Sequence, residues 1–327
     1  MRRILLTSLL ALAAAWDGAS SGERLYRLIG TILREDGEPF KNAVPELFLQ
    51  GAVRPYSART QAGPDGRFTF KKLPAGTYTL IVEVPRAGGM RKTVEVGPSF
   101  ADSGGSVFLT VRFDRTERIE KKSLVSAAEL GIPDEARTEY RKADDCLSRS
   151  DVNGAIKRLK KAIEIAPQFA AAWNHLGTIA YQSRQYPQAE QYFREALKRD
   201  PDAYSPLVNL GGALLSQAKI EESLSVNEQA AKLKPDDPLA QSQLGQSYYF
   251  SGRLDEAEGH LKLAKKLDPS HYSCPQLVLV EIYARRNQLP SAIAEIEEFL
   301  KLHPDSPLVP RMQKALADAR ARLPGRP

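Results

Sequence analysis

The hydrophobic positions of this chain change their period near residue 115. Between residues 24 and 114, apolar and polar side chains alternate in short runs at 28–33, 47–49, 68–70, 78–84, 93–96 and 107–113. A period of two is the pattern of half-buried strands. Turn chemistry separates the runs: Asp36-Gly37, Gly63-Pro64-Asp65-Gly66, Pro74-Ala75-Gly76 and Ala87-Gly88-Gly89. Six or seven short strands with hairpin turns predict an antiparallel β-sandwich over residues 22–115. Beyond residue 133 the apolar residues recur at i, i+3, i+4 and i+7, the stripe of amphipathic helices. Pro167, Pro201, Pro235, Pro269 and Pro304 punctuate these helices at three gaps of 34 residues and one of 35. A fixed period of this length predicts one supersecondary unit stacked on itself.

The block ending at Pro201 carries Trp173, Leu176, Gly177, Tyr181, Ala189, Phe193 and Ala196. It resembles the tetratricopeptide repeat, a helix-turn-helix of about 34 residues. The blocks ending at Pro167, Pro235, Pro269 and Pro304 keep fewer of these positions, among them Ala155, Gly211, Gly245 and Ala292. Small residues at such sites let paired helices approach, and a larger side chain would overpack them at roughly 1–3 kcal/mol. Ser223 and Asn227 break the pattern in the third repeat, which is therefore expected to pack least tightly. Val280 and Phe299 break it in the last, after one extra residue around His271 and Cys274. The resemblance implies a right-handed, all-α solenoid of about five repeats over residues 134–323, closed by a capping helix.

In the first part, Asp65-Gly66-Arg67-Phe68-Thr69-Phe70 and Pro74-Ala75-Gly76-Thr77-Tyr78 are similar to the carboxypeptidase regulatory-like domain, a transthyretin-type sandwich. Gly30 and the turn Asp36-Gly37-Glu38-Pro39 fit the opening strand and loop of that family. The resemblance implies a non-catalytic module of the kind appended to bacterial envelope proteins. Ahead of it, Met1-Arg2-Arg3 and an uncharged run through Ala15 predict a secretory signal peptide over residues 1–20, and so export to the periplasm or beyond. Residues 116–133 read as a charged linker with a short helix.

The net charge of +6 is spread out: residues 22–115 hold 14 basic and 10 acidic side chains, and residues 133–327 hold 27 and 26. No long basic face is implied, so nucleic acid is not an expected partner. The densest run, Lys157-Arg158-Lys160-Lys161, reads as the solvated face of a helix. Cys146 and Cys274 sit far apart along the repeats, so no disulfide is expected. The four histidines stand in no metal-binding spacing, and no nucleophile elbow, phosphate loop or dinucleotide fingerprint occurs. The chain reads as a non-enzyme without cofactor or metal.

The first helices of such repeats line a concave face that, by the resemblance, holds an extended peptide or a partner helix. Counting along them gives the candidates Arg137, Tyr140 and Asp144, then Asn174, Thr178 and Tyr181, then Val208, Gly212 and Leu215, then Ser242, Gln246, Tyr249 and Phe250, and finally Leu277, Glu281 and Arg285. Aromatic side chains there suit a neutral or partly apolar ligand, because rings concentrate binding energy. The expected function is an exported scaffold or adaptor that binds a protein partner in this groove. The alternative is carbohydrate or cell-wall binding through the sandwich, resting on Tyr56 or Phe100, with the repeats used for oligomerisation.

Overall fold

A computed structural model describes residues 24–113, except 42 and 86, and residues 131–323. The predicted signal peptide and most of the predicted linker lie outside the described residues. Two compact units emerge, Gly22–Asn209 and Leu210–Pro327, and their boundary falls inside one helix.

Seven strands build a β-sandwich: β1 Tyr26–Arg34, β2 Glu46–Gly51, β3 Ser57–Gln61, β4 Arg67–Leu73, β5 Gly76–Val84, β6 Gly88–Val96 and β7 Ser106–Phe113. They form a three-stranded sheet in the order β4-β1-β7 and a four-stranded sheet in the order β3-β2-β5-β6. Alternate residues face inward, and Leu28, Ile32, Leu47, Leu49, Leu80 and Val82 meet in a dry core. One pairing departs from the antiparallel expectation: β7 runs parallel to β1. Parallel neighbours need a long crossover, and the strands of the other sheet supply it before the chain returns to the free edge of β1. The strand that the alternation rule misses is β3, whose Ser-Ala-Arg-Thr-Gln carries no apolar alternation.

The motif residues have local reasons. Gly66 sits at φ 76 beside the β1 backbone, where a Cβ would lie 2.3 Å from the Ile32 carbonyl oxygen. Asp65 Oδ1 accepts the Arg67 N–H and closes that turn. Tyr78 donates its hydroxyl proton to the Pro74 carbonyl at 2.7 Å, tying the second turn to its strand.

Eleven helices follow among the described residues. They are α1 Asp134–Leu147, α2 Val152–Ile165, α3 Ala170–Gln182, α4 Tyr186–Arg199, α5 Tyr204–Ser216, α6 Ile220–Leu233, α7 Pro238–Phe250, α8 Leu254–Leu267, α9 Pro275–Arg285, α10 Leu289–Leu302 and α11 Val309–Ala321. The punctuating prolines stand two residues past the ends of α2, α4, α6, α8 and α10, each just after the helix cap. The preceding caps Ala166, Asp200, Lys234 and Asp268 have ψ between 83° and 97°. The residue before proline is pushed out of the helical region in this way.

Close approach follows the small residues. A Cβ on Gly177 would lie 2.5 Å from the Phe193 ring, and Ala189 and Ala196 are fully buried. Asn227 takes the place of Phe193 one repeat later, over Gly211. Polar contacts form there: Asn227 Nδ2 donates to Ser247 Oγ at 3.0 Å, and the Ser223 and Ser247 hydroxyls lie 3.2 Å apart, while Asn227 Oδ1 is buried without a hydrogen bond. All three side chains are fully buried. In the last repeat, Phe299 fills the core with Leu277, Ile296 and Met312.

Candidate functional site

Within the unit Gly22–Asn209, the sandwich rests on α1 and α3. Strand β3 packs against α1. The Ser57 hydroxyl donates to the Asp144 carboxylate, and Arg59 lies close enough to act on its charge. Gln182 Nε2 donates to the Gly51 carbonyl at 2.6 Å. Asp144 and His175 face each other, Oδ1 to Nδ1, at 4.0 Å. Burial pushes the Asp144 carboxyl up and the His175 imidazole down, so both groups are driven toward their uncharged forms. Tyr140 lies against Phe169 and His175, with ring centroids at 5.2 and 5.4 Å. Asn209 donates to Asn174 Oδ1 at 3.1 Å, Thr178 bonds back to the Asn174 carbonyl, and Tyr181 packs edge-on against Tyr186.

In the unit Leu210–Pro327 the same helix positions carry a different surface. Ser242 is fully buried and accepts from Gln246 Nε2 at 3.3 Å. Tyr249 is only 5% exposed. The Arg285 guanidinium covers its ring at 4.5 Å, and Phe250 packs edge-on beside it at 5.3 Å. Burial raises the Tyr249 phenol and the Glu281 carboxyl, with Arg285 and Arg311 pulling Glu281 back down. The layer open to solvent is therefore the half-buried Gln246, Phe250 and Glu281 with the exposed Arg285, over a floor of Ser242 and Tyr249.

Tetratricopeptide repeat family models match residues 140–204, 180–242 and 240–271. Residues 140–271 are tetratricopeptide repeats. Among curated proteins, the chain is 30% identical over 104 residues to the STIP1 homolog of Dictyostelium discoideum, across 32% of this chain and 18% of that protein. It is 24% identical over 136 residues to Hsp70-Hsp90 organizing protein 3 of Arabidopsis thaliana, across 42% of this chain and 24% of that one. It is 26% identical over 195 residues to the TPR repeat-containing protein PA4667 of Pseudomonas aeruginosa, across 57% of this chain and 32% of that one. The chain thus spans less than a third of the length of each. Among solved structures, the Cut9 and Hcn1 hetero-tetramer of the APC/C overlays with a TM-score of 0.52 at 19% identity, covering 59% of this chain and 38% of the other.

The tetratricopeptide register explains what each candidate does. The groove candidate Asp144 and its near neighbour in the register, Gln182, touch the sandwich, so the chain's own β-domain takes up side chains of the first repeats. Sequence reasoning missed Ser57 and Arg59, whose polar strand β3 gave no signal, and Gly51 at the end of β2, and it stopped one residue short of Gln182. It named Tyr249 for the groove, and this ring is 5% exposed beneath the Arg285 guanidinium. Tyr56, offered for glycan binding, is 5% exposed and packs edge-on against Tyr78 in the core, whereas Phe108 stands 66% exposed. Two members of the basic run, Arg158 and Lys161, turn to the buried Glu139 at 2.9 and 3.8 Å. Hydrogen bonds from Lys142 and Arg158 hold the Glu139 carboxyl down at about 2. Among the described residues no cluster of three metal-ligating side chains occurs, and no helix is long and apolar enough to cross a membrane. Both cysteines are free thiols.

Proposed function

We propose that this protein is a non-enzymatic, exported adaptor whose C-terminal repeats hold a segment of a protein partner. The observation that carries this reading is the paired surface of α7 and α9. A buried hydroxyl and phenol form its floor there, and Gln246, Phe250, Glu281 and Arg285 remain open to a ligand. One aromatic edge, one amide and one charge of each sign suit a mixed polypeptide segment, with the ring as the anchor. The relative named as an Hsp70-Hsp90 organizing protein supports an assembly role. Export rests on the basic and apolar N-terminal sequence alone.

The test is a pull-down from an envelope fraction with Phe250→Ala and Arg285→Ala together, and circular dichroism as the control for folding. Loss of a partner that the unmodified chain recovers supports the reading, and unchanged recovery sinks it. Tyr249 is left intact because its ring is packed and its removal would damage the repeat.

A further inference from the structure

Apart from the repeats, the outer face of the β4-β1-β7 sheet carries chemistry that no fold requirement explains. The strand register places it in rows. Phe108 of β7, Ile29 of β1 and Thr69 of β4 form the middle row. On one side stand Thr110, Thr31 and Arg67, and beyond them Arg112 and Leu33. On the other side stand Arg27 and Lys71. Arg27, Arg67, Lys71, Arg112 and Phe108 are all exposed. These rows contain four cations and no carboxylate. The nearest acids are in turns: Asp65 meets Arg67 at 3.3 Å with both side chains open to water, and Asp102 accepts the Ser106 N–H. An ion pair that exposed leaves the guanidinium available. The outer face of the other sheet is the reverse, with Glu46, Glu83 and Glu95 interleaved with Arg59 and Arg91. One small domain thus presents a basic side and a mixed, carboxylate-rich side. An exposed ring this prominent, inside a single-sign field, is the mark of a contact surface.

We propose that this face binds an extended acidic polysaccharide, its carboxylate or sulfate groups taken by the two ends of the strip and one sugar ring laid on Phe108. The Arg27 and Arg67 rows lie four strand residues apart, about 13 Å at the usual rise, with the ring between them. Guanidinium groups accept such anions through paired hydrogen bonds. Thr31, Thr69 and Thr110 supply hydroxyls between the charges, the partners that sugar hydroxyls need. Other anionic polymers fit less well. An acidic peptide docks by adding to a sheet edge or entering a groove, and a flat face offers neither. A bilayer would bury the three threonines without partners. A single-stranded nucleic acid stacks successive bases on successive rings, and only one ring stands here.

The experiment uses the full chain in titration calorimetry, with polygalacturonate and heparin as probes. Dextran, oligo-dT and phosphatidylglycerol vesicles are the comparisons. Binding to either acidic glycan and not to dextran, weakening as salt rises, is expected. Phe108→Ala should weaken it roughly fivefold to tenfold. Lys71→Gln with Arg112→Gln should weaken it about tenfold or more and flatten the salt dependence. Tight binding to oligo-dT or to vesicles without glycan binding overturns the proposal. Glycan binding that is indifferent to both variants overturns it as well. All three positions are exposed, so circular dichroism should be unchanged, and pull-down of a protein partner through α7 and α9 should persist in both variants.

Discussion

The repeats that meet the sandwich and the repeats of the C-terminal unit share one spacing and differ in what the candidate groove positions touch. In α1 and α3 these positions are Asp144, His175's neighbour, and Gln182, and their partners come from the sandwich. In α7 and α9 they are Ser242, Gln246, Tyr249 and Arg285, and they satisfy one another. A groove side chain that finds its partner in another domain is committed, whereas one supported by its own repeat leaves a surface for a ligand. The cores differ in the same sense. The second repeat closes on Phe193 over Gly177, and the third closes on Asn227 over Gly211.

The sharpest way to break this comparison is at those equivalent core slots. Phe193→Ala empties a fully packed ring site and should cost about 3–5 kcal/mol. Asn227→Ala should cost less, about 1–2 kcal/mol, because it opens a smaller space and the Ser247 hydroxyl keeps its bonds to Ser223 and to the Gln243 carbonyl. Urea unfolding of each variant gives the order, and equal costs would erase the distinction between the two repeats.

Acid should act through two packed histidines, His271 and His175. Burial holds His271 down at about 4, with Asp268 and Asp237 opposing and His303 reinforcing the shift. The unfolded chain binds this proton near pH 6.5 and the folded chain does not, so stability is full above that point. It is lost as pH falls toward 4, by up to about 3 kcal/mol. His271→Gln should flatten the profile over that window. His175→Gln should act in the same direction, because burial lowers this imidazole too, against the Asp144 charge. A profile unchanged by both substitutions would mean that neither imidazole is desolvated by folding.

Ser57→Ala removes the hydroxyl that meets Asp144 and should cost about 1 kcal/mol. The loss should appear as faster amide exchange along β3, and unchanged exchange would dissolve the contact on which the comparison rests. The smallest effect is a gain. Gly259 lies within α8, and a Cβ there meets nothing within 4 Å. Gly259→Ala should therefore stabilise by about 0.5–1 kcal/mol, measured by thermal melting.

Much of this architecture was legible in the sequence, for reasons that particular residues make plain. Proline after each second helix and glycine or alanine at each crossing are demands of local sterics, so they appear at fixed intervals. Asp65-Gly66 and Pro74-Ala75-Gly76-Thr77-Tyr78 mark turns because each residue acts on its neighbours. Strand β3 was illegible because an edge strand lying against a helix needs no apolar alternation. The burial of Tyr249 was illegible because its lid, Arg285, belongs to another repeat.

The sequence by itself determined the two textures of the chain, the helical period, the positions of close helix contact and the turns of the sandwich, since all of these follow from interactions within a few residues. Only the tertiary structure decided that β7 lies parallel to β1, that Asn227 is held by Ser247, that the sandwich takes Asp144 and Gln182, and that Phe108 stands among four cations. Each of these depends on groups far apart in the chain, whose meeting no local pattern encodes.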